Sequence, residues 1–151
     1  MKFSNFQLNL YTFLKLPSVW WCGVRITSLT EKVCKASVTH RWINQNPFKS
    51  MFWAVQGMAA ELTTGILIMQ EVQGSELKVS MLVLNNKANF TKKAKGRITF
   101  SCDAKDQISK AIEQLKKVDT PQTFWLKASG VDENNVVVST FDFEWTLLIK
   151  K

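Results

Sequence analysis

One acidic residue stands alone in the most apolar stretch of the chain. Glu61 is the only charged residue between Lys49 and Glu71. Burial of a carboxylate without a partner is costly, and desolvation raises its pKa. A retained acid of this kind is a candidate general base near neutral pH. The alternative is a structural glutamate that is held by hydroxyl or backbone hydrogen bonds, or paired across a dimer interface.

Polar side chains flank the same stretch. Asn46 and Ser50 precede it, and either side chain can orient a water molecule or a carbonyl group. Ser50 is also a natural helix N-cap, which is its structural alternative. Thr64 lies three residues after Glu61 on roughly the same helix face, where its hydroxyl could hydrogen-bond the acid. The alternative for Thr64 is simple packing.

Four cations crowd into one turn-like stretch, namely Lys92, Lys93, Lys95 and Arg97. Such a cluster can bind phosphate groups, and a solvated hairpin end explains it equally well. The net charge of +8 favours a polyanionic partner, such as nucleic acid, anionic lipid or a phosphate-bearing ligand, with plain solubility as the alternative. Because no nucleic-acid-binding module is recognisable, we expect no nucleic-acid partner.

Cysteine and histidine usage argues against a metal site. The chain has three cysteines and one histidine, with no CxxC pair, so we predict no metal. An odd number of cysteines without an apolar signal region predicts reduced thiols and a cytoplasmic location. The stretch 51–69 has the length of a membrane span, but a central charge costs about 2.5–3.5 kcal/mol there. We therefore predict a core helix and no membrane span.

Hydrophobic periodicity defines the elements that must position these residues. It predicts helices over 4–16, about 50–70 and from Asp103 onward, with a loop over 17–21. It predicts six strands, of which two lie within 24–42 with a bulge near 27–28, one over 77–91, one over 97–102, and two at the end of the chain. In the first half of the strand over 77–91, apolar residues occupy both alternating sets of positions. This pattern predicts that both faces of the first half are covered.

The order of these elements predicts an α+β protein with a single domain over 1–151. Six strands in three sequential hairpins imply a mostly antiparallel sheet. The long helix is apolar on nearly every side, so it must be buried on most of its surface. Only a sheet that curls around the helix can provide that cover.

Three segments and the element order resemble a known superfamily. The segments 46–50, 59–65 and 90–97 are similar to the loop, central helix and strand end of PaaI-like acyl-CoA thioesterases. They resemble more closely a branch of that superfamily with no assigned function. The resemblance covers nearly the whole chain and implies a hotdog fold, in which a curved antiparallel six-stranded sheet wraps around a long central helix.

The resemblance also implies a chemistry, the hydrolysis of an acyl-CoA thioester. Glu61 matches the carboxylate that acts as general base or nucleophile, and backbone N–H groups between Met51 and Ala54 would polarise the thioester carbonyl. The catalytic candidates are therefore Glu61, Asn46 and Ser50. The candidates for substrate binding are Trp53, Ala54, Thr64, Lys92, Lys93, Lys95 and Arg97.

The same resemblance implies an assembly and leaves one alternative open. Coenzyme A would enter as part of the substrate and no separate cofactor is expected. Subunits of this fold usually pair so that the site lies between them, which predicts a homodimer or a dimer of dimers. Trp53 and Ala54 stand where the family often has a glycine pair. This difference, together with Phe48 where the family often has a histidine, favours the alternative, a non-catalytic protein that binds an acyl group or coenzyme A.

Overall fold

The computed structural model describes residues 3–118 and 120–150 and contains four helices and six strands in that part of the chain. A 3₁₀ turn at Trp42–Asn44 precedes the longest helix. In chain order the elements are α1 (Asn5–Lys15), α2 (Pro17–Trp21), β1 (Arg25–Leu29), β2 (Val33–Thr39), α3 (Trp53–Gly74), β3 (Val79–Phe90), β4 (Arg97–Asp103), α4 (Lys105–Lys117), β5 (Gln122–Val131) and β6 (Val137–Ile149).

The strands form one antiparallel sheet in the order β1-β2-β4-β5-β6-β3. The predicted pairing of β3 with β4 was wrong. β3 pairs with β6 from Val79 opposite Ile149 to Phe90 opposite Ser139, while β4 lies between β2 and β5. Alternation within a strand shows which face is buried but does not identify the neighbouring strand. The prediction paired β3 with the next strand in sequence, whereas β3 is an edge strand of the sheet.

The sheet wraps around α3, as predicted. This helix packs against β2, β4, β5 and β6, and its residues from Leu62 to Ile68 are all buried. The strands direct apolar side chains toward this helix, with Ile98 and Phe100 on β4 and Phe141 on β6 fully buried. The predicted bulge in β1 lies between Ile26 and Ser28. Among the helices of residues 3–118 and 120–150, none has the length and apolar character that a membrane crossing requires.

One predicted loop and two predicted helix starts were wrong. The stretch 17–21 is a short helix, opened by proline at its first position, rather than a loop. The long helix begins at Trp53, with Phe52 at its N-cap, so Ser50 does not cap it. Asp103 pairs with Val33 at the end of β4, and α4 begins two residues later without a side-chain cap. Pairing within the sheet overrides the capping preference of aspartate here.

Two apolar surfaces expected to be covered are open in the single chain. Leu82 and Leu84 on β3 point away from α3 and are 59% and 47% exposed, so the prediction that both faces of this strand are covered was wrong. The second strand also ends at Thr39, before the predicted limit at residue 42. Trp42 lies beyond β2 in the 3₁₀ turn and is 83% exposed.

Candidate functional site

A cavity of about 420 Å³ opens at the start of α3. It lies between the loop that precedes the helix and the segment that follows β3. Five of the residues predicted for the site line it, namely Asn46, Ser50, Trp53, Lys92 and Lys93. A larger cavity of about 840 Å³ lies at the other end of α3, beside the β1–β2 turn, and contains none of the predicted residues.

Asn46 organises the loop that forms one wall of this cavity. Its side-chain oxygen accepts hydrogen bonds from the backbone N–H groups of Phe48, at 2.9 Å, and Ser50, at 3.3 Å. The Ser50 hydroxyl lies 3.1–3.2 Å from both polar atoms of the Asn46 amide, and Ser50 is buried. In this chain both side chains therefore hold the loop in shape, and Ser50 does so in place of the predicted N-cap role.

The start of α3 has no side-chain cap. The carbonyl oxygen of Phe52 accepts the first helical hydrogen bonds, from the N–H groups of Val55 at 3.1 Å and Gln56 at 3.4 Å. Within the described part of the chain, the N–H groups of Trp53 and Ala54 have no acceptor. Free N–H groups at the positive end of a helix dipole can stabilise a negatively charged oxygen.

Gln56 lines the cavity but was not among the predicted site residues. It is buried one turn inside α3, and its side-chain oxygen accepts a 2.8 Å hydrogen bond from the hydroxyl of Ser139. Its side-chain nitrogen lies 3.4 Å from the carbonyl oxygen of Met51. In the sequence, Gln56 is marked only as an amide side chain in an otherwise apolar helical turn. Its partner Ser139 lies 83 residues away, so the sequence does not reveal their contact.

Glu61 does not line this cavity. It lies on a partly exposed stripe of α3, formed by Ala54, Gly57, Met58 and Glu61, that the sheet leaves uncovered. The spacing of seven residues from Ala54 corresponds to about 10 Å along the helix axis. No group in residues 3–118 and 120–150 donates a hydrogen bond to the Glu61 carboxylate. Desolvation by burial raises the pKa of this carboxyl group.

The Thr64 hydroxyl is engaged by protein groups on both sides. It donates a 2.8 Å hydrogen bond to the main-chain oxygen of Glu61 and accepts a 3.0 Å bond from the indole N–H of Trp145. Thr64 is also fully buried. The structure therefore differs from the expected contact between Thr64 and the Glu61 carboxylate, and it leaves this hydroxyl inaccessible to a ligand.

The four predicted cations do not form one cluster. Lys92 forms a 2.6 Å ion pair with Asp132, and this hydrogen bond holds the pKa of Asp132 below its usual value. Lys93 lines the same cavity, whereas Lys95 is exposed outside it. Arg97 lies at a separate cavity of about 270 Å³, 3.7 Å from a carboxylate oxygen of Glu133. Of these four cations, Lys92 and Lys93 line the first cavity and Lys95 and Arg97 do not.

The thiol and metal chemistry of the described residues is limited. Cys34 and Cys102 face each other on β2 and β4, and both are buried. Burial raises the pKa of each thiol to about 12, so neither is a thiolate nucleophile at neutral pH. Residues 3–118 and 120–150 contain no group of three or more His, Cys, Asp or Glu side chains that could hold a metal ion.

Comparison of the structure with solved structures shows relatives of the same fold. The chain resembles PA5026 of Pseudomonas aeruginosa, a protein of unknown function called a probable thioesterase, with a TM-score of 0.87, 19% identity and 99% of each chain covered. It resembles thioesterase HI1161 of Haemophilus influenzae with a TM-score of 0.75 and 15% identity, and the match covers 99% of this chain and 93% of the other. It resembles a variant of thioesterase PA1618 of Pseudomonas aeruginosa with a TM-score of 0.76 and 13% identity, and the match covers 99% of this chain and 97% of the other.

These likenesses, with the sheet wrapped around α3, confirm the predicted hotdog fold. No curated protein matches the chain in sequence. One family model does match, and it covers residues 6–147, which is nearly the whole chain. The chain therefore belongs to the family described as a domain of unknown function, DUF4442.

Proposed function

We propose that this protein hydrolyses an acyl-CoA thioester, with Glu61 as the general base. One observation carries the proposal. The partly buried Glu61 carboxylate has a raised pKa and lies on the uncovered stripe of α3, and the same stripe begins at the uncapped helix start. A base with a raised pKa and a pair of free N–H donors are the two parts that acyl transfer to water requires.

The chemistry follows from these two parts. The thioester oxygen would accept hydrogen bonds from the N–H groups of Trp53 and Ala54, which polarise the carbonyl group. Glu61 would take a proton from a water molecule as the water oxygen attacks the carbonyl carbon. The tetrahedral intermediate then collapses and breaks the carbon–sulfur bond. The thiolate of coenzyme A leaves and takes up the proton, and the carboxylic acid is the second product.

Geometry supports a site shared between two subunits. A general base must lie within about 3 Å of the water it activates. Within one chain, Glu61 lies about 10 Å along the axis from the N–H of Ala54, and an oxygen held by that N–H would lie farther away. Glu61 of one copy would therefore act on a thioester held at the helix start of a second copy.

The open edge of β3 supports the same assembly. β3 pairs with β6 on one side only, over twelve residues, and an edge of this length is a template for pairing with another chain. A homodimer, or a dimer of dimers, would cover this edge and the stripe that carries Glu61. In this proposal Lys93, assisted by Lys92, contacts the phosphates of coenzyme A, and the protein acts in the cytoplasm.

The test is the hydrolysis of a panel of acyl-CoA thioesters, followed through the released thiol. Glu61→Gln keeps the shape of the side chain but removes the base, so hydrolysis should fall at least about 10²-fold. Glu113→Gln changes an exposed glutamate on α4 and serves as the matched control, with unchanged activity. Equal rates in wild type and Glu61→Gln would exclude Glu61 as the base.

The alternative function is a non-catalytic protein that binds an acyl group or coenzyme A. Trp53 favours it, because this bulky side chain is 54% exposed at the place where a thioester carbonyl would have to approach the helix start. Calorimetric titration with coenzyme A separates the two functions. A wild-type protein that binds coenzyme A and hydrolyses no member of the panel would support the binder.

A further inference from the structure

Helix α1 meets the sheet with a mixed face, in which Leu8 and Thr12 are buried and two asparagines form hydrogen bonds. Asn9 forms two hydrogen bonds of 2.9 Å with the backbone N–H and carbonyl oxygen of Ile26. Asn5 donates a third, of 2.8 Å, to the carbonyl oxygen of Thr27. These amides satisfy the unpaired edge of β1, which is the other end of the sheet. These polar contacts, together with the buried Leu8, therefore fix the orientation of the helix.

As a result, the apolar side of α1 faces outward. Phe6 is 77% exposed and Leu14 is 63% exposed, and Leu10 and Phe13 lie on the same side. These four side chains recur at helical spacing, but the structure directs them away from the core. Trp21, at the end of α2, extends the exposed surface.

The 3₁₀ turn adjoins the end of α2. The side-chain nitrogen of Asn44 donates a 3.0 Å hydrogen bond to the carbonyl oxygen of Cys22, which holds the turn next to the end of α2. Trp42 in this turn is the most exposed of the large apolar side chains. We define the aromatic face as Phe6, Leu10, Phe13, Leu14, Trp21 and Trp42.

Positive charge accompanies this face. Lys15 lies in the last turn of α1 and Arg41 directly precedes Trp42, and both side chains are exposed. The Arg25 guanidinium lies 3.4 Å from the centre of the Trp20 ring. Burial and the nearby charge of Arg41 lower the pKa of Arg25. No carboxylate in the described part of the chain forms a salt bridge with either arginine.

We propose that the aromatic face docks onto an anionic lipid bilayer surface. Tryptophan and phenylalanine side chains favour the boundary between head groups and acyl chains, and nearby cations are attracted to anionic lipid phosphates. Arg41 is exposed beside Trp42 and supplies such a cation without a competing carboxylate. The Arg25 guanidinium is half-buried and donates to the carbonyl oxygens of Trp20 and Val24, so it fixes the end of α2. A second copy of this chain is a poorer occupant, because a symmetric interface would bring the exposed cations of both copies, Lys15 and Arg41, into one interface. The protein would then act at a membrane surface without crossing the membrane.

The test is flotation of the full chain with vesicles of phosphatidylcholine, with and without phosphatidylglycerol. We expect binding only to the vesicles with phosphatidylglycerol, and weaker binding as salt screens the charges. Leu10→Ser with Leu14→Ser should weaken binding at least about tenfold. Arg41→Gln should weaken it about fivefold, as expected for one cation near the surface.

The matched control is Leu82→Ser with Leu148→Ser, which removes two similarly exposed leucines from the outer face of the sheet and should leave vesicle binding unchanged. Light scattering without lipid is measured on every variant. Three outcomes would overturn the proposal: a wild type that does not bind anionic vesicles, equal binding by both double variants, or a change of oligomeric mass caused by the α1 substitutions. The last outcome would show that the face is covered by a second copy.

Discussion

The buried hydroxyl of Ser139 on β6 donates a 2.8 Å hydrogen bond to the side-chain oxygen of Gln56 on α3. This bond joins the central helix to the sheet at the wall of the candidate site. In Ser139→Ala the Gln56 oxygen loses its donor while it stays buried, so the free energy of unfolding should fall by about 1–3 kcal/mol.

Urea unfolding measures this change, with Ser129→Ala on β5 as a control that should shift stability by less than about 0.5 kcal/mol. A double variant with Gln56→Leu should cost less than the sum of the two single changes, because it removes both polar partners. Additive costs would show that the two side chains do not depend on each other.

The sequence predicted the elements whose periodicity is set by burial. The long apolar helix and the alternation of Phe141, Phe143, Trp145 and Leu147 identified α3 and β6, since helix and strand periods differ clearly. The same information does not specify which strands are neighbours. Two apolar phases in β3 suggested cover on both faces, but the strand lies at the edge of the sheet with Leu82 and Leu84 exposed.

The candidate site was harder to predict because it depends on partners distant in sequence. The pairing of Gln56 with Ser139 and of Thr64 with Trp145 spans more than 80 residues in each case. Ser50 has the chemistry of an N-cap, but Asn46 engages its hydroxyl and the helix begins later, at Trp53. The prediction of a single cationic cluster failed for a similar reason, since Asp132 and Glu133 approach from the distant β5–β6 turn.

The pH dependence of stability should report the burial of Glu61. Because burial raises the pKa of this carboxyl group in the folded state, the folded protein binds the proton more tightly than the unfolded chain does. This contribution is fully present at acidic pH and is lost as pH rises through the folded-state pKa. Glu61→Gln lacks the titration, so its stability relative to wild type should increase from acidic to neutral pH.

Thermal unfolding of wild type and Glu61→Gln across this pH range provides the measurement, with Glu113→Gln as an exposed control whose difference from wild type should stay flat. If Glu61 is instead held by charge-assisted hydrogen bonds in the assembled protein, the variant should lose stability at neutral pH. That result would favour the structural role of this residue over the catalytic one.

Two glycines should respond in opposite ways to alanine. A Cβ at Gly130 would overlap the buried ring of Phe100, so Gly130→Ala should destabilise the protein by about 1–3 kcal/mol. A Cβ at Gly65 would lie 3.5 Å from the Trp145 ring, which is an ordinary contact. Gly65→Ala should therefore stabilise α3 by up to about 1 kcal/mol. Equal melting temperatures for the two variants would contradict this packing.

Lys93 and Lys92 should differ in their contribution to substrate affinity. Both line the cavity at the start of α3, but Lys92 is engaged by Asp132. If the phosphates of coenzyme A bind there, Lys93→Ala should raise KM, or Kd for coenzyme A, more than Lys92→Ala does, with little change in kcat. Lys95→Ala, outside the cavity, is the control. Affinity that is unchanged in all three variants and insensitive to salt would place the phosphates elsewhere.

A complementation experiment tests whether the reaction centre is shared between subunits. Ala54→Pro removes one of the two free N–H groups, and proline is tolerated in the first turn of a helix. Glu61→Gln removes the base, so each variant alone should be nearly inactive. In a mixed dimer, the wild-type Glu61 of one subunit meets the wild-type helix start of the other.

After unfolding and refolding of an equal mixture, half of the dimers should be mixed, and each of these should have one intact site out of two. Activity should therefore recover to about a quarter of the wild-type value. Light scattering on each variant checks that the dimer forms. A site contained within one chain would give no recovery, because every chain in the mixture carries a defect, and activity that stays at the level of the separate variants would contradict the shared site.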